Sequence, residues 1–463
     1  MTTGDTTTTR VPGALGAEHR LITLALLALI TIIAFEAMAI STAMPVVARE
    51  LDAVRSYGLA FSVMLTAELL GIVLSGVWAD RVGPVPALVV GQLLLGAGSL
   101  LAGLAGSFPV LLVGRAVFGL GGGLLVVALY VVIGRAYPEA MRPKVFSWIS
   151  AAWVLPSLVG PPIAGFLTTT WSWRWVFLVV VAPLVVTFVV TLGQRHRMEG
   201  GPMVVEPNGD RTLHGRTARL GLGIALAAGA LQLGAERLVP LATVPLVLAV
   251  AGLVGVGVLY PRLVPPGTLR LRRGLPSVMA SRLLLTAGFN GAITFVPLML
   301  VNERGLTPAL AGLMLTVGAL GWSLGSAIQG HDALAQRKPL LVATGSGLLA
   351  AGTAGFAVVA TLGLHHVLVG AAAALAGLGM GLAMSSTSVL SLALSDPGDH
   401  GQSASSLNLS DVLGSVMGIS TAGAVFAALH DPGGDDTPVF VLMWLAMALV
   451  ALVGVAAGRR TRP

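Results

Sequence analysis

Fourteen times along the chain an apolar run of roughly twenty residues returns, about the length a helix needs to cross a bilayer. The runs lie near 21–45, 57–79, 85–106, 109–133, 145–168, 173–193, 220–236, 241–260, 277–301, 307–329, 339–362, 366–392, 402–428 and 437–457. Composition agrees: 10% of residues are charged, against about 25% in a water-facing globule of this size. With so little polar surface, lipid must be the solvent for most of the chain. There is no cysteine, which excludes disulfides and thiolate metal sites. Glycine, at 60 residues, is abundant, as expected where helices approach closely without a hydrophobic drive between them.

The runs fall into groups of six, two and six. The expected organisation is a tail over 1–20, an N-terminal six-helix bundle over 21–193 and a linker over 194–219. Two additional spans follow over 220–260, then a basic linker over 261–276, a C-terminal six-helix bundle over 277–457 and a tail over 458–463. The run at 220–236 is the shortest, and a twelve-span arrangement would lay this middle pair on the membrane surface. The first run is too long, and lacks the small-residue site, for a cleaved signal peptide.

Charge sets the expected orientation. With both termini in the cytoplasm, inner loops carry 20 of the 27 Lys and Arg residues and outer loops carry five, while Arg115 and Arg282 lie inside spans. That bias is the positive-inside pattern, and it requires an even number of spans. The net charge of +7 forms no basic stripe with interleaved aromatics, so nucleic acid is not expected as a partner. Only two lysines occur, Lys144 and Lys338, and neither follows a phosphate-binding glycine loop, which argues against an ATP-driven pump. No metal-ligand cluster or nucleophile–base pair suggests an enzyme. Phe35-Glu36 leading to Pro45 is echoed by Phe289-Asn290 leading to Pro297, a faint repeat of the kind found in transporters with duplicated halves.

Several motifs bear a family resemblance. Gly76-Val77-Trp78-Ala79-Asp80-Arg81-Val82-Gly83 resembles the loop signature of the major facilitator superfamily, departing from it where Pro84, Val85 and Pro86 replace basic residues. Leu111, Arg115, Phe118, Gly119 and Gly121 resemble its fourth-helix motif, and Arg135 to Arg142 resembles the loop that follows. Pro156 with Gly160-Pro161-Pro162-Ile163-Ala164-Gly165 resembles the fifth-helix motif of its antiporters, and Leu231-Gln232-Leu233-Gly234 with the six-two-six count points to the fourteen-helix drug:proton antiporter branch. The resemblance implies an all-α membrane protein with the major facilitator fold, two six-helix bundles plus two extra helices. It also implies a cytoplasmic latch at Gly76, Asp80, Arg81, Gly83 and Arg142, with Asp80 near Gln402, and a gating helix carrying Pro156, Gly160, Pro161 and Gly165.

Ionisable residues within the bilayer are costly and therefore functional suspects. Glu36 and Arg115 lie at similar depths in the first and fourth spans, which in the resembled fold line one cavity. They are candidates for proton coupling, the alternative being a permanently ionised structural pair. Glu68 is a further candidate for a proton or a cationic substrate, or else a carboxyl hydrogen-bonded to a neighbouring helix. Asp411 and Arg282 are expected to pair in the second half, Asp411 as a lesser coupling candidate. Glu36, Glu68, Asn290 and Arg282 are the substrate-cavity candidates. Asn290 and Gln232 also suit helix–helix hydrogen bonds. Trp153, Phe289, Phe295 and Trp322 suit either an apolar pocket or lipid, and His365, His366, Asp431, Asp435 and Asp436 read as solvated loop residues.

The function expected is a proton-coupled antiporter in a bacterial inner membrane, exporting hydrophobic or cationic small molecules by alternating access. It would use no cofactor beyond the proton, hold no metal and act as a monomer in lipid. Lipid or glycolipid export is the alternative within the fold. Nutrient uptake is disfavoured by the Gly160-Pro161 motif, and a non-transport sensor or scaffold by loops too short for a soluble domain.

Overall fold

The computed structural model describes residue 16 and residues 19–138, 141–199, 211–237, 242–396 and 399–462. Nothing but helix and connecting turn occurs among them. The N-terminal bundle comprises α1 (Arg20–Glu50), α2 (Leu59–Val82), α3 (Pro84–Gly103), α4 (Phe108–Ala136), α5 (Arg142–Thr170), α6 (Arg174–Leu178) and α7 (Val181–Glu199). The middle pair is α8 (Arg211–Ala235) and α9 (Thr243–Leu263). The C-terminal bundle comprises α10 (Leu275–Ile293), α11 (Val296–Asn302), α12 (Pro308–Gln329), α13 (Lys338–Thr361), α14 (Val367–Ala393), α15 (His400–Leu429) and α16 (Thr437–Arg459).

Among the described residues, fourteen segments are long and apolar enough to span a membrane. Two of them are broken: the sixth between α6 and α7, and the ninth between α10 and α11, where Thr294 and Phe295 interrupt the run just before Pro297. Proline removes a backbone donor and clashes with the preceding turn, so a break there follows from the sequence. An even number of crossings puts the start of α1 and the end of α16 at one face, called the tail face below; the opposite one is the far face.

The two bundles are built alike. In the first, α2 and α3 pack on α4 and α1 packs on α5; in the second, α12 and α13 pack on α14 and α10 packs on α15. Glycine makes the closest of these contacts. A Cβ on Gly119 or Gly123 of α4 would overlap the backbone of Met64 or Glu68 on α2, and one on Gly377 of α14 would overlap the Gly318 carbonyl on α12. Dispersion between backbones replaces the hydrophobic drive that lipid removes.

The middle pair crosses the membrane and does not lie on its surface. α8 runs antiparallel to α2: Gln232 donates from Nε2 to the Ser62 hydroxyl at 2.7 Å and accepts from the Thr66 hydroxyl at 2.9 Å. Further along the same face, Gly229 sits against Thr66 and Gly221 against Val73. On the other side Tyr260 of α9 shares a 2.8 Å hydrogen bond with Ser410 of α15, and Ser406 donates to the Leu263 carbonyl at 2.9 Å. Apolar residues Leu69, Ile224, Val256, Leu413 and Val416 fill the space between. The pair thus covers the seam where α2 of one bundle meets α15 of the other. Gln232→Leu is expected to leave the Ser62 and Thr66 hydroxyls without α8 partners at a cost of about 1 kcal/mol, within the range measured for interhelical bonds in lipid. A thermal unfolding midpoint in detergent equal to wild type would contradict this role.

At the far face the bundles touch. Arg55 donates from Nε to the Ala427 carbonyl at 2.8 Å, and the Tyr57 hydroxyl donates to the Thr294 carbonyl at 3.0 Å. Phe295 is fully buried there, in tilted ring contact with Tyr57 and Phe426, so it packs this closure and neither lines a cavity nor meets lipid. Toward the tail face, α4 shares no packed interface with the C-terminal bundle among the described residues.

Candidate functional site

The sequence places one acid, Glu36, in the apolar middle of α1, and the fold turns it inward. Glu36 and Arg115 form an ion pair between Oε1 and Nη1, with side chains only 1% and 2% exposed. The rest of the guanidinium is held by α2: Nε donates to the Ala60 carbonyl at 2.9 Å, and Nη2 lies 2.9 Å from the Met64 sulfur. The approach is possible because Gly119, one turn along α4 from Arg115, lets α2 come into backbone contact. The second oxygen of Glu36, Oε2, is buried and has no hydrogen-bond partner. One half of the carboxylate is therefore locked to Arg115 and the other is empty-handed.

Glu68 stands one helical turn beyond Met64 on α2, half-buried and without a hydrogen bond of its own. It lies within electrostatic reach of Glu36 and Arg115 on its own side and of Asp411 across the interface. The C-terminal bundle supplies a second pair. Arg282 on α10 meets Asp411 on α15 at 3.3 Å, and its Nη1 donates to the Met384 carbonyl at 2.7 Å and to the hydroxyls of Thr387 and Ser388 at 3.0 and 3.3 Å. The Asp411 side chain keeps 24% exposure, so this pair is wetter than the first and less costly to hold ionised. Asn290 donates to Ser415 at 3.0 Å, and Ser415 in turn to the Asp411 carbonyl at 2.9 Å, which ties α10 to α15 beside the pair. Phe289 and Trp322 meet edge to face at 5.3 Å nearby, both half-buried.

The structure thus brings together Glu36 with Arg115 and Arg282 with Asp411, and sets Glu68 between them. The motif helices frame this centre. Gly160 of α5 lies against Phe35 and Met38, the neighbours of Glu36, with 3.5 Å from a built Cβ to the Met38 Cβ. Gly165 packs against Ala309 of α12, and Pro161 against Gly312. Pro156 and Pro161 both lie inside α5, which continues through them as one helix. In the latch motif Gly83 has φ of +95°, a left-handed conformation that glycine adopts without strain, and it closes the turn between α2 and α3. The Arg135 guanidinium lies beside it, and Arg142 donates to the Tyr137 carbonyl at 3.1 Å. Gly76 faces open space. The side chains of Asp80 and Arg81, and so the expected approach of Asp80 to Gln402, lie outside what the structure describes.

Three features escape a reading of sequence. The Ala60 carbonyl and Met64 hold Arg115 only because of the α2–α4 approach. Asp436, read above as a solvated loop residue, is buried, with Oδ2 2.5 Å from Nδ1 of His430. Glu236, the first residue past α8, is buried at 7% exposure; its spacing of four from Gln232, which puts both on one face, was the available signal.

A model of the family described as Major Facilitator Superfamily matches residues 26–419. The chain belongs to that superfamily. Among curated relatives, the putative multidrug resistance protein MdtD of Escherichia coli (strain 55989 / EAEC) is 29% identical over 445 residues, covering 89% of this chain and 88% of its own length. The probable multidrug-efflux transporter Rv1634 of Mycobacterium tuberculosis is 24% identical over 403 residues, covering 81% and 80%. MFS transporter L2 of a Phoma species is 27% identical over 347 residues, covering 70% of this chain, which spans only 57% of that relative. The multidrug transporter protein MdtP of Bacillus subtilis is likewise spanned over 55% of its length. Among solved structures, a peptide transporter of the POT family in complex with sulfate superposes with a TM-score of 0.70 at 18% identity, covering 97% of each chain. A D-xylose–proton symporter superposes at 0.63 and 14%, covering 96% and 100%. The chain therefore has the superfamily's fold, with helices long and apolar enough to cross a membrane many times.

Proposed function

We propose that this transporter is a proton-driven exporter of hydrophobic or cationic small molecules, working by alternating access in a bacterial inner membrane with both termini in the cytoplasm. The observation that carries the reading is the half-satisfied Glu36: Oε1 is paired with Arg115 while buried Oε2 has no partner. A proton on Oε2 neutralises the carboxyl, weakens its hold on the arginine and costs no existing hydrogen bond. Arg115 then remains anchored by the Ala60 carbonyl and Met64, so the guanidinium keeps its place while the acid changes state. A cationic substrate entering beside Glu68 raises the local positive charge and favours release of that proton. Proton and substrate therefore compete for the same negative charge, which is the requirement for exchange.

The closed far face, together with the 20-to-5 distribution of basic residues, fits a resting shape whose cavity opens toward the cytoplasm. The multidrug names carried by MdtD and Rv1634 support an export role with broad cargo. Such an exporter uses no cofactor other than the coupling proton, needs no partner beyond lipid and works as a monomer. Inside-out vesicles acidified in the lumen are expected to concentrate a fluorescent cationic dye, and a protonophore to collapse the accumulation. Movement of a labelled lipid with no dye transport would assign the fold to lipid export instead.

A further inference from the structure

Glu236 ends the polar face by which α8 docks on α2. Gln232 sits one turn before it, bonded to Ser62 and Thr66, and one turn back from Ser62, just ahead of α2, stands Gly58. There the carboxyl enters the far-face seam. A Cβ on Gly58 would lie 3.2 Å from Glu236 Oε1 and 3.1 Å from the Gly423 Cα of α15, and a Cβ on Gly423 would lie 3.0 Å from the same oxygen. The carboxyl therefore fills the notch where the two bundles touch, with Phe295 as its third wall.

Both carboxyl oxygens are buried and neither has a hydrogen-bond partner. The charged and titratable groups around the notch are otherwise engaged or solvent-facing. On the α2 side Arg55 is committed to the Ala427 carbonyl and Tyr57 to the Thr294 carbonyl. On α15 the nearest ionisable side chain is His430, seven residues past Gly423 and paired with Asp436. Beside Phe295 the chain offers only uncharged Thr294. Arg237, next in sequence, is exposed. Burial holds the Glu236 carboxyl well above its ordinary range, against the opposing pull of the Arg237 guanidinium. An ionised carboxylate in such a place has no compensation, so the closed seam accommodates only the neutral acid.

We propose that Glu236 is a second proton-binding site, carried by the added helix pair, and that the far-face seam between the bundles closes only when its carboxyl holds a proton. The site is separate from the exchange assigned to Glu36 and acts on access. Parting Gly58 from Gly423 admits water to the notch and lets the proton leave. The closed shape binds the proton more tightly than the open one, so by linkage closure is favoured at low pH and lost as pH rises.

The chain has no cysteine, so labels can be placed at will. Leu104 and Leu362 lie in far-face turns of opposite bundles and are 70% and 66% exposed. Both are replaced by cysteine and spin-labelled in the Glu36→Gln background, which removes the exchange site, and their separation is measured in lipid nanodiscs without substrate from pH 5 to 9. The expected result is a short distance at low pH that gives way to a longer one as pH rises. Adding Glu236→Gln, or the space-filling Glu236→Leu, is expected to hold the short distance across the whole range. A distance independent of pH with Glu236 in place overturns the proposal. So does a pH response that persists unchanged when Glu236 is replaced.

Discussion

Glu36→Gln is expected to reduce gradient-driven dye accumulation to the level of vesicles lacking the protein, while downhill equilibration of the dye across the membrane persists. The amide preserves the shape and can still meet Arg115 through its carbonyl oxygen, but it cannot take up or lose a proton. Every remaining step of alternating access stays available, so the carrier still turns over; what disappears is the link between turnover and the proton gradient. Removing a merely structural ion pair would affect the two transport modes together. The split between concentrative and downhill movement is therefore the informative readout, measured in the same vesicles with and without a lumenal acid load. Concentrative transport at the wild-type rate in Glu36→Gln would take proton coupling away from this residue.

Arg115→Met is expected to have the largest effect on stability. It leaves a carboxylate at 1% exposure with neither oxygen paired and removes the arginine donor from the Ala60 carbonyl. Breaking a buried pair from one side costs about 3–5 kcal/mol, whereas replacing both partners with neutral groups of similar volume is close to neutral. The double variant Glu36→Gln/Arg115→Met should therefore recover most of the thermal midpoint lost by Arg115→Met alone, even though it remains uncoupled. Measured as a double-mutant cycle in detergent, an additive loss would mean that the two side chains do not act as a pair. The wetter Arg282–Asp411 pair, with Asp411 at 24% exposure, should show a smaller coupling by the same measurement.

Much of this was legible in the sequence because lipid leaves few choices. A segment in hydrocarbon must satisfy its own backbone, so twenty apolar residues announce a helix, and the fourteen spans follow. A charge inside such a segment is expensive enough to imply a partner, which is why Glu36, Arg115, Arg282 and Asp411 stood out. Hydropathy is continuous across the breaks at Val179–Val180 and Thr294–Phe295, and only Pro297 signals the second of them in the sequence. Nor was the function of the glycines as backbone contacts between named helices, because close approach depends on crossing geometry that composition does not encode. Glu236 closes the 220–236 run, at an end where a carboxylate reads as an interfacial charge; only the antiparallel register of α8 on α2 carries it into the seam between Gly58 and Gly423. Asp436 was misread for the same reason, as its burial beside His430 depends on how the α15–α16 turn folds back.

In the proposed exchange, proton and substrate compete at Glu36. The most direct measurement is proton release on substrate binding, followed with a pH indicator in weakly buffered solution as a cationic dye is added to the purified transporter in detergent. Wild type is expected to release protons on binding, and Glu36→Gln to bind the dye while releasing none. Binding to wild type without proton release at any pH between 5 and 9, or equal release from Glu36→Gln, would rule out competition at this residue.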